Sequence, residues 1–147
     1  MKNLVGFAYL LSIALVPQVR AQDECFNGLL HGQYSFVVSG TFNGAPFAAT
    51  GQTIYDGLGN AQGVIQTSSN GTVYPATTWT AKYSVKSMST TPTGGGPAVC
   101  VLNKTITVPG YNNLQVSFFG TAGADYNELR FIATTPTLTL SGTARKL

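Results

Sequence analysis

From His31 onward the chain alternates polar and apolar residues with period two, and the interruptions fall at glycine, proline or asparagine. Successive side chains of an extended strand point to opposite faces, so this period gives each segment one buried and one solvated face. No segment carries the three-to-four spacing of a helix. The pattern predicts strands over residues 32–42, 46–55, 61–68, 72–86, 97–108, 114–121, 128–134 and 137–145. Two turns are well signalled, Asp56-Gly57-Leu58-Gly59-Asn60 and Asn70-Gly71, the second with type I′ hairpin chemistry. Thr90 to Pro97, with three consecutive glycines, reads as a flexible loop. Short links between successive strands predict an all-β fold, an eight-stranded antiparallel up-and-down β-barrel, because closure removes the exposed edges of an open sheet. A β-sandwich is the alternative; its long crossovers find a counterpart only in the glycine-rich loop.

The alternation also assigns the interior. The apolar face carries Tyr34, Phe36, Val38 and Phe42 on the first strand, and Phe47, Ala49, Gly51, Thr53 and Tyr55 on the second. Ile65 follows on the third, then Trp79, Ala81, Tyr83 and Val85 on the fourth. Leu114, Val116 and Phe118, then Leu129, Phe131 and Ala133, then Leu138, Leu140, Gly142 and Ala144 complete it. The opposite faces hold Gln33, Ser35, Lys82, Lys86, Gln115, Arg130 and Thr143, as a solvated exterior requires. The small inward residues Gly51, Ala49, Ala81, Ala133 and Gly142 are expected to leave room for a cavity.

Ahead of the strands, Lys2 and an apolar run from Leu4 to Val16 lead to Pro17 and the small-residue site Val19-Arg20-Ala21. This arrangement predicts a secretory signal peptide over 1–21 and one mature domain over 22–147. The run is too short for a transmembrane helix, so no membrane association is expected after cleavage. Eight Lys and Arg face five Asp and Glu, and Lys2 and Arg20 belong to the leader. The mature domain is therefore nearly neutral and offers no surface for nucleic acid. In a secreted chain the two cysteines, Cys25 and Cys100, have one possible pairing, a disulfide. Strand parity agrees: Cys25 precedes the first strand and Cys100 lies near the start of the fifth, so both fall at one end of an up-and-down barrel. The bridge would pin the N-terminal segment across that end, and a ligand would enter from the other.

Catalytic constellations are sparse. The single histidine, His31, has no nucleophile elbow or acid partner and reads as a rim residue. Asp56 reads as a turn cap, Asp125 and Glu128 flank a hairpin, and no metal-ligand spacing occurs. Lys104 stands out. On the fifth strand Cys100, Leu102, Lys104, Ile106 and Val108 share the apolar face, so period two directs Lys104 inward. The sequon Asn103-Lys104-Thr105 agrees, since a glycosylated Asn103 must face out; a second sequon begins at Asn70. A buried ammonium is costly, which makes Lys104 a candidate site residue unless a bulge carries it to the rim. Tyr34, Tyr55 and Tyr83 read either as core aromatics or, with Trp79, as the lining of a ligand pocket.

Gly32-Gln33-Tyr34-Ser35-Phe36 opening the strands, Asp56-Gly57-Leu58-Gly59-Asn60 after the second and Leu140-Ser141-Gly142-Thr143-Ala144 closing them resemble small secreted calycin-like barrels. In outline they are also similar to the eight-stranded barrels of the allene oxide cyclase and dirigent type. The resemblance implies a pocket for a hydrophobic small molecule and, for some members, cofactor-free cyclisation or coupling. The expectation is a secreted barrel that binds a small hydrophobic molecule through Tyr34, Phe36, Tyr55, Trp79, Tyr83, Phe118 and Phe131. A cofactor-free cyclase or isomerase using Lys104 and one of Tyr34, Tyr55 or Tyr83 is the alternative. A secreted surface or interaction protein with a packed interior is the third.

Overall fold

The computed structural model describes residues 25–93, 96–123 and 125–147. The expected signal peptide, together with Gly94 and Gly95 of the expected loop, lies outside the described residues. Nine strands run in chain order: β1 (His31–Phe42), β2 (Ala45–Asp56), β3 (Asn60–Ser69), β4 (Thr72–Val73), β5 (Thr77–Ser89), β6 (Ala98–Val108), β7 (Leu114–Ala122), β8 (Glu128–Ala133) and β9 (Leu138–Lys146). The sheet order is β2-β1-β9-β8-β7-β6-β5-β3-β4, and pairing of β2 with β3 closes it. Eight antiparallel strands thus form a barrel with β4 as a short appendage. Closure decides against the sandwich.

The expected fourth strand, 72–86, is broken in two. Pro75 has no N–H to give to a ladder, so residues 74–76 leave the sheet and pairing with β3 resumes from Thr77. Thr72 and Val73 pair back onto Ser69 and Ser68 through the Asn70-Gly71 turn. There Asn70 and Gly71 both have positive φ (49° and 80°), as a type I′ hairpin demands. Asn43-Gly44 repeats that geometry between β1 and β2, with φ of 50° and 79°.

Burial follows the period: along β1, Tyr34, Phe36 and Val38 are buried while Gln33, Val37 and Ser39 are exposed. Two of the inward glycines do not enlarge the lumen as expected. A Cβ on Gly51 would meet the Val64 carbonyl at 2.0 Å and the Phe36 ring at 2.9 Å; one on Gly142 would meet the Val37 carbonyl at 2.5 Å and the Phe131 ring at 2.8 Å. The space those glycines leave is occupied by neighbouring strands and by aromatic rings folded over them.

The two ends differ in construction. At one end Cys25 is bonded to Cys100, with Cα atoms 5.4 Å apart, which ties the N-terminal segment to β6. A single 3₁₀ turn, Asn27–Leu29, follows and delivers Leu30, with no exposed surface, into the barrel. The Asn27 side-chain oxygen accepts a hydrogen bond from the Val85 N–H (2.8 Å), fastening the strap to β5. This segment is the floor. The opposite end carries the links between β1 and β2, β3 and β5, β6 and β7, and β8 and β9, and it opens into the lumen.

Candidate ligand site in the barrel lumen

Above the floor the barrel is hollow. A cavity of about 450 Å³ is lined by β1, β2, β3, β5, β6, β7, β8 and β9, mostly through Phe, Val, Leu, Ile and Ala side chains. That volume falls within the roughly 300–1,000 Å³ of small-molecule sites. The packed interior of the third expectation is therefore not the one observed.

The three inward tyrosines stand in a row of edge-to-face contacts, Tyr34 to Tyr55 at 5.2 Å and Tyr55 to Tyr83 at 5.0 Å between centroids. Their hydroxyls do different things. Tyr34 donates to the Tyr126 carbonyl at 2.8 Å, and Tyr83 donates to the Leu30 carbonyl at 2.9 Å. Both side chains belong to the floor and neither lines the cavity. Their polar ends, expected to face a ligand, are here committed to backbone carbonyls of Tyr126 and Leu30. Tyr55 does line the cavity, and its hydroxyl accepts a hydrogen bond from Lys104 Nζ at 3.0 Å.

Lys104 points inward, as period two requires, and does not reach the rim. Its Nζ lies 4.4 Å from the centroid of Trp79 and 4.8 Å from that of Tyr55. Its side chain is half-buried and lines the cavity. Among the described residues no carboxylate pairs with it; both ion pairs belong to Glu128, with Arg130 and Arg145 on the exterior. Loss of hydration with no counter-charge pulls the Lys104 ammonium down to about 7. Burial, reinforced by Tyr34 and Tyr83, pushes the Tyr55 phenol upward, so it stays protonated. At neutral pH the lumen therefore holds an amine that exchanges readily between charged and neutral forms beside a neutral hydroxyl.

Four further aromatic side chains stand around this pair. Phe36 packs edge-on to Trp79 at 6.2 Å, and Phe118 packs edge-on to Phe131 at 5.4 Å; all four line the cavity. The Trp79 indole nitrogen is buried without a hydrogen-bond partner. Toward the mouth, Tyr111 and Thr67 join hydroxyls at 2.7 Å, and Tyr74 packs edge-on to Tyr111 at 6.0 Å. Sequence reading missed this group. Thr67 was discoverable, since it shares the inward parity of Ile65 on β3; Tyr111 was not, because it sits in the 3₁₀ turn Pro109–Tyr111 outside any alternating segment.

Residues expected to be peripheral are so. His31 is exposed, its Nδ1 3.1 Å from the Gly28 carbonyl oxygen. The Asp56 carboxylate accepts from the Asn60 side-chain amide at 2.6 Å and from the Leu58 and Asn60 backbone N–H groups at 2.7 and 2.9 Å, which holds it below the usual carboxylate range. Asn70 and Asn103 are both exposed, the first on a hairpin tip and the second on the outer face of β6.

No protein-family model matches the chain, and no curated protein resembles it in sequence. Among solved structures it is similar to a redesigned β-barrel, at 20% identity and a TM-score of 0.50 over 82% of this chain and 94% of that one. A second redesigned barrel, mFAP1, bound to DFHBI, aligns at 17% identity and a TM-score of 0.49 over 82% of this chain and 97% of that one. The first likeness agrees with the barrel fold.

Proposed function

We propose that this chain is a secreted barrel whose lumen binds a small, largely apolar molecule. The observation that carries the reading is the cavity of about 450 Å³, walled by aliphatic and aromatic side chains and closed at one end by the Cys25–Leu30 strap. Burying an apolar ligand there removes its surface and that of the walls from water, at roughly 25 cal/mol per Å² before the costs of immobilisation. The leader read at 1–21 supports export, and the resemblance to calycin-like barrels agrees with a lumenal ligand. The pairing of Lys104 with Tyr55 supports a second reading, a cofactor-free cyclase or isomerase that orients one substrate conformer and polarises its carbonyl.

Titration of the folded protein with N-phenyl-1-naphthylamine, a neutral apolar fluorophore, tests the first reading. Saturable enhancement is expected. Ala49→Phe, which fills the lumen from β2, is expected to abolish it while leaving the folded spectrum intact. A protein that does not bind the probe, or binds it equally well after Ala49→Phe, would overturn the proposal.

A further inference from the structure

Among the described residues lining the cavity, Lys104 is the one amine, and no carboxylate shares the lining with it. The amine is held from two sides, by Trp79 at 4.4 Å and by the Tyr55 hydroxyl at 3.0 Å, and faces the apolar cavity. A lumen built for an anionic head group would keep this nitrogen protonated. Here the surroundings work against the ammonium: hydration is lost, one neutral hydroxyl is the hydrogen-bond partner, and the walls are hydrocarbon. A neutral amine has a free electron pair and is a nucleophile toward carbonyl carbon.

We propose that Lys104 captures the carbonyl group of a hydrophobic aldehyde as an imine inside the barrel. This rests on the reading that the lumen binds apolar small molecules, and it specifies their class. The nitrogen electron pair forms a bond to the aldehyde carbon while the C=O π pair moves onto oxygen. Transfer of one amine proton to that oxygen gives a neutral carbinolamine. Loss of the second nitrogen proton together with the C–O bond then yields C=N and one molecule of water, with no change in oxidation state. The Tyr55 hydroxyl, already within hydrogen-bond distance of the nitrogen, is placed to steady the carbinolamine oxygen and to relay the proton. The product is uncharged at nitrogen, so the apolar walls that disfavour an ammonium do not disfavour it. Exclusion of bulk water by the bound tail protects it from hydrolysis.

Dodecanal provides the test, with dodecanol and dodecanoic acid as matched chains lacking the aldehyde. The full-length folded protein is incubated with one equivalent of dodecanal at neutral pH, reduced with borohydride and mapped by peptide mass spectrometry. The expected result is a reduced adduct on Lys104, formed roughly a hundredfold faster than on the exposed Lys82 and Lys86. Lys104→Met is expected to lose the adduct. Should that variant fail to fold, the distribution of adducts in the unmodified protein decides alone. Label spread evenly over exposed lysines would overturn the imine, as would dodecanoic acid binding more tightly than dodecanal in a Lys104-dependent manner. Displacement of the probe by dodecanol without a Lys104 adduct overturns the imine and leaves lumenal binding standing. No displacement by any of the three chains overturns both.

Discussion

At the floor, Tyr34 and Tyr83 direct their hydroxyls to the backbone carbonyls of Tyr126 and Leu30; one position along the same row, Tyr55 turns its hydroxyl to an amine that faces empty space. The rings pack alike, with centroids 5.0 and 5.2 Å apart, so ring packing does not distinguish them. The hydroxyl partner does. Where the partner is backbone, the tyrosine closes the barrel; where it is a titratable side chain, the tyrosine belongs to a site. The floor is thus satisfied and covalently pinned, while the lumen above it holds an amine without a counter-charge and an indole N–H without an acceptor. Unsatisfied groups of this kind concentrate at functional places.

The comparison is broken most forcefully at the floor. Replacing Cys25 and Cys100 together by alanine releases a loop spanning 75 residues of sequence. Chain entropy alone predicts a loss of about 4–5 kcal/mol, read as a lowered midpoint in denaturant. A loss far smaller than this would mean that the hydrogen bonds of Asn27 and Leu30 hold the strap without the bridge.

Lys104→Met acts in the opposite direction, and its effect depends on pH. The folded amine titrates at about 7, below the roughly 10.4 of an unfolded lysine. Between these values the unfolded chain holds one proton more than the folded chain, so the free energy of unfolding rises with pH across that window. Below about 7 both states are protonated and the cost of burying the charge is complete. Methionine removes that cost. The variant is expected to be more stable than the parent by roughly a few kcal/mol at pH 6, with the gap narrowing as pH rises toward 9. Lys104 is packed against Tyr55 and Trp79, and the burial-raised phenols of Tyr34, Tyr55 and Tyr83 remain protonated throughout this range. Urea midpoints at several pH values check it; parallel curves for the two proteins would refute it.

Much of this contrast was legible from residue order. Period two alone places Lys104 among Leu102, Ile106 and Val108, and strand parity puts Cys25 and Cys100 at one end, where the disulfide joins them. The break at Pro75 was written in the chain as well, but the alternation on both sides of it reads as one strand. What residue order did not disclose was the division among the tyrosines. Tyr34, Tyr55 and Tyr83 share parity and chemistry, and their roles are set by Leu30, Lys104 and Tyr126, which the chain brings near only after closure. The size of the lumen was equally hidden. It depends on whether an inward glycine is left open or covered by a ring, as Gly51 is by Phe36 and Gly142 by Phe131.

The same one-atom deletion, made at two places in the row, sharpens the comparison further. Tyr83→Phe leaves the Leu30 carbonyl without its side-chain donor inside the floor and is expected to cost about 1–3 kcal/mol. Tyr55→Phe removes an acceptor from an amine that keeps access to the cavity, so a smaller loss of stability is expected, about 1 kcal/mol or less. The functional order is reversed. Tyr55→Phe should slow adduct formation at Lys104, whereas Tyr83→Phe should leave its rate unchanged under conditions where the variant is folded. Equal rates in the two variants would remove Tyr55 from the site.

The smallest expected effect lies at the mouth. The Thr67 and Tyr111 hydroxyls, 2.7 Å apart, join β3 to the 3₁₀ turn after β6 across the open end, where Tyr74 packs against the Tyr111 ring. Tyr111 is only half-buried and water can replace its partner, so Tyr111→Phe is expected to cost about 0.5–1 kcal/mol of stability. Its kinetic consequence follows from position. A ligand entering the lumen passes these side chains, and loosening the turn from β3 lowers the barrier to entry and exit alike. Association and dissociation of the naphthylamine probe should therefore both accelerate in stopped-flow measurements, with the dissociation constant nearly unchanged. A change in affinity with unaltered rates would instead make Tyr111 a ligand contact, and the open end would then be part of the binding surface and not its entrance.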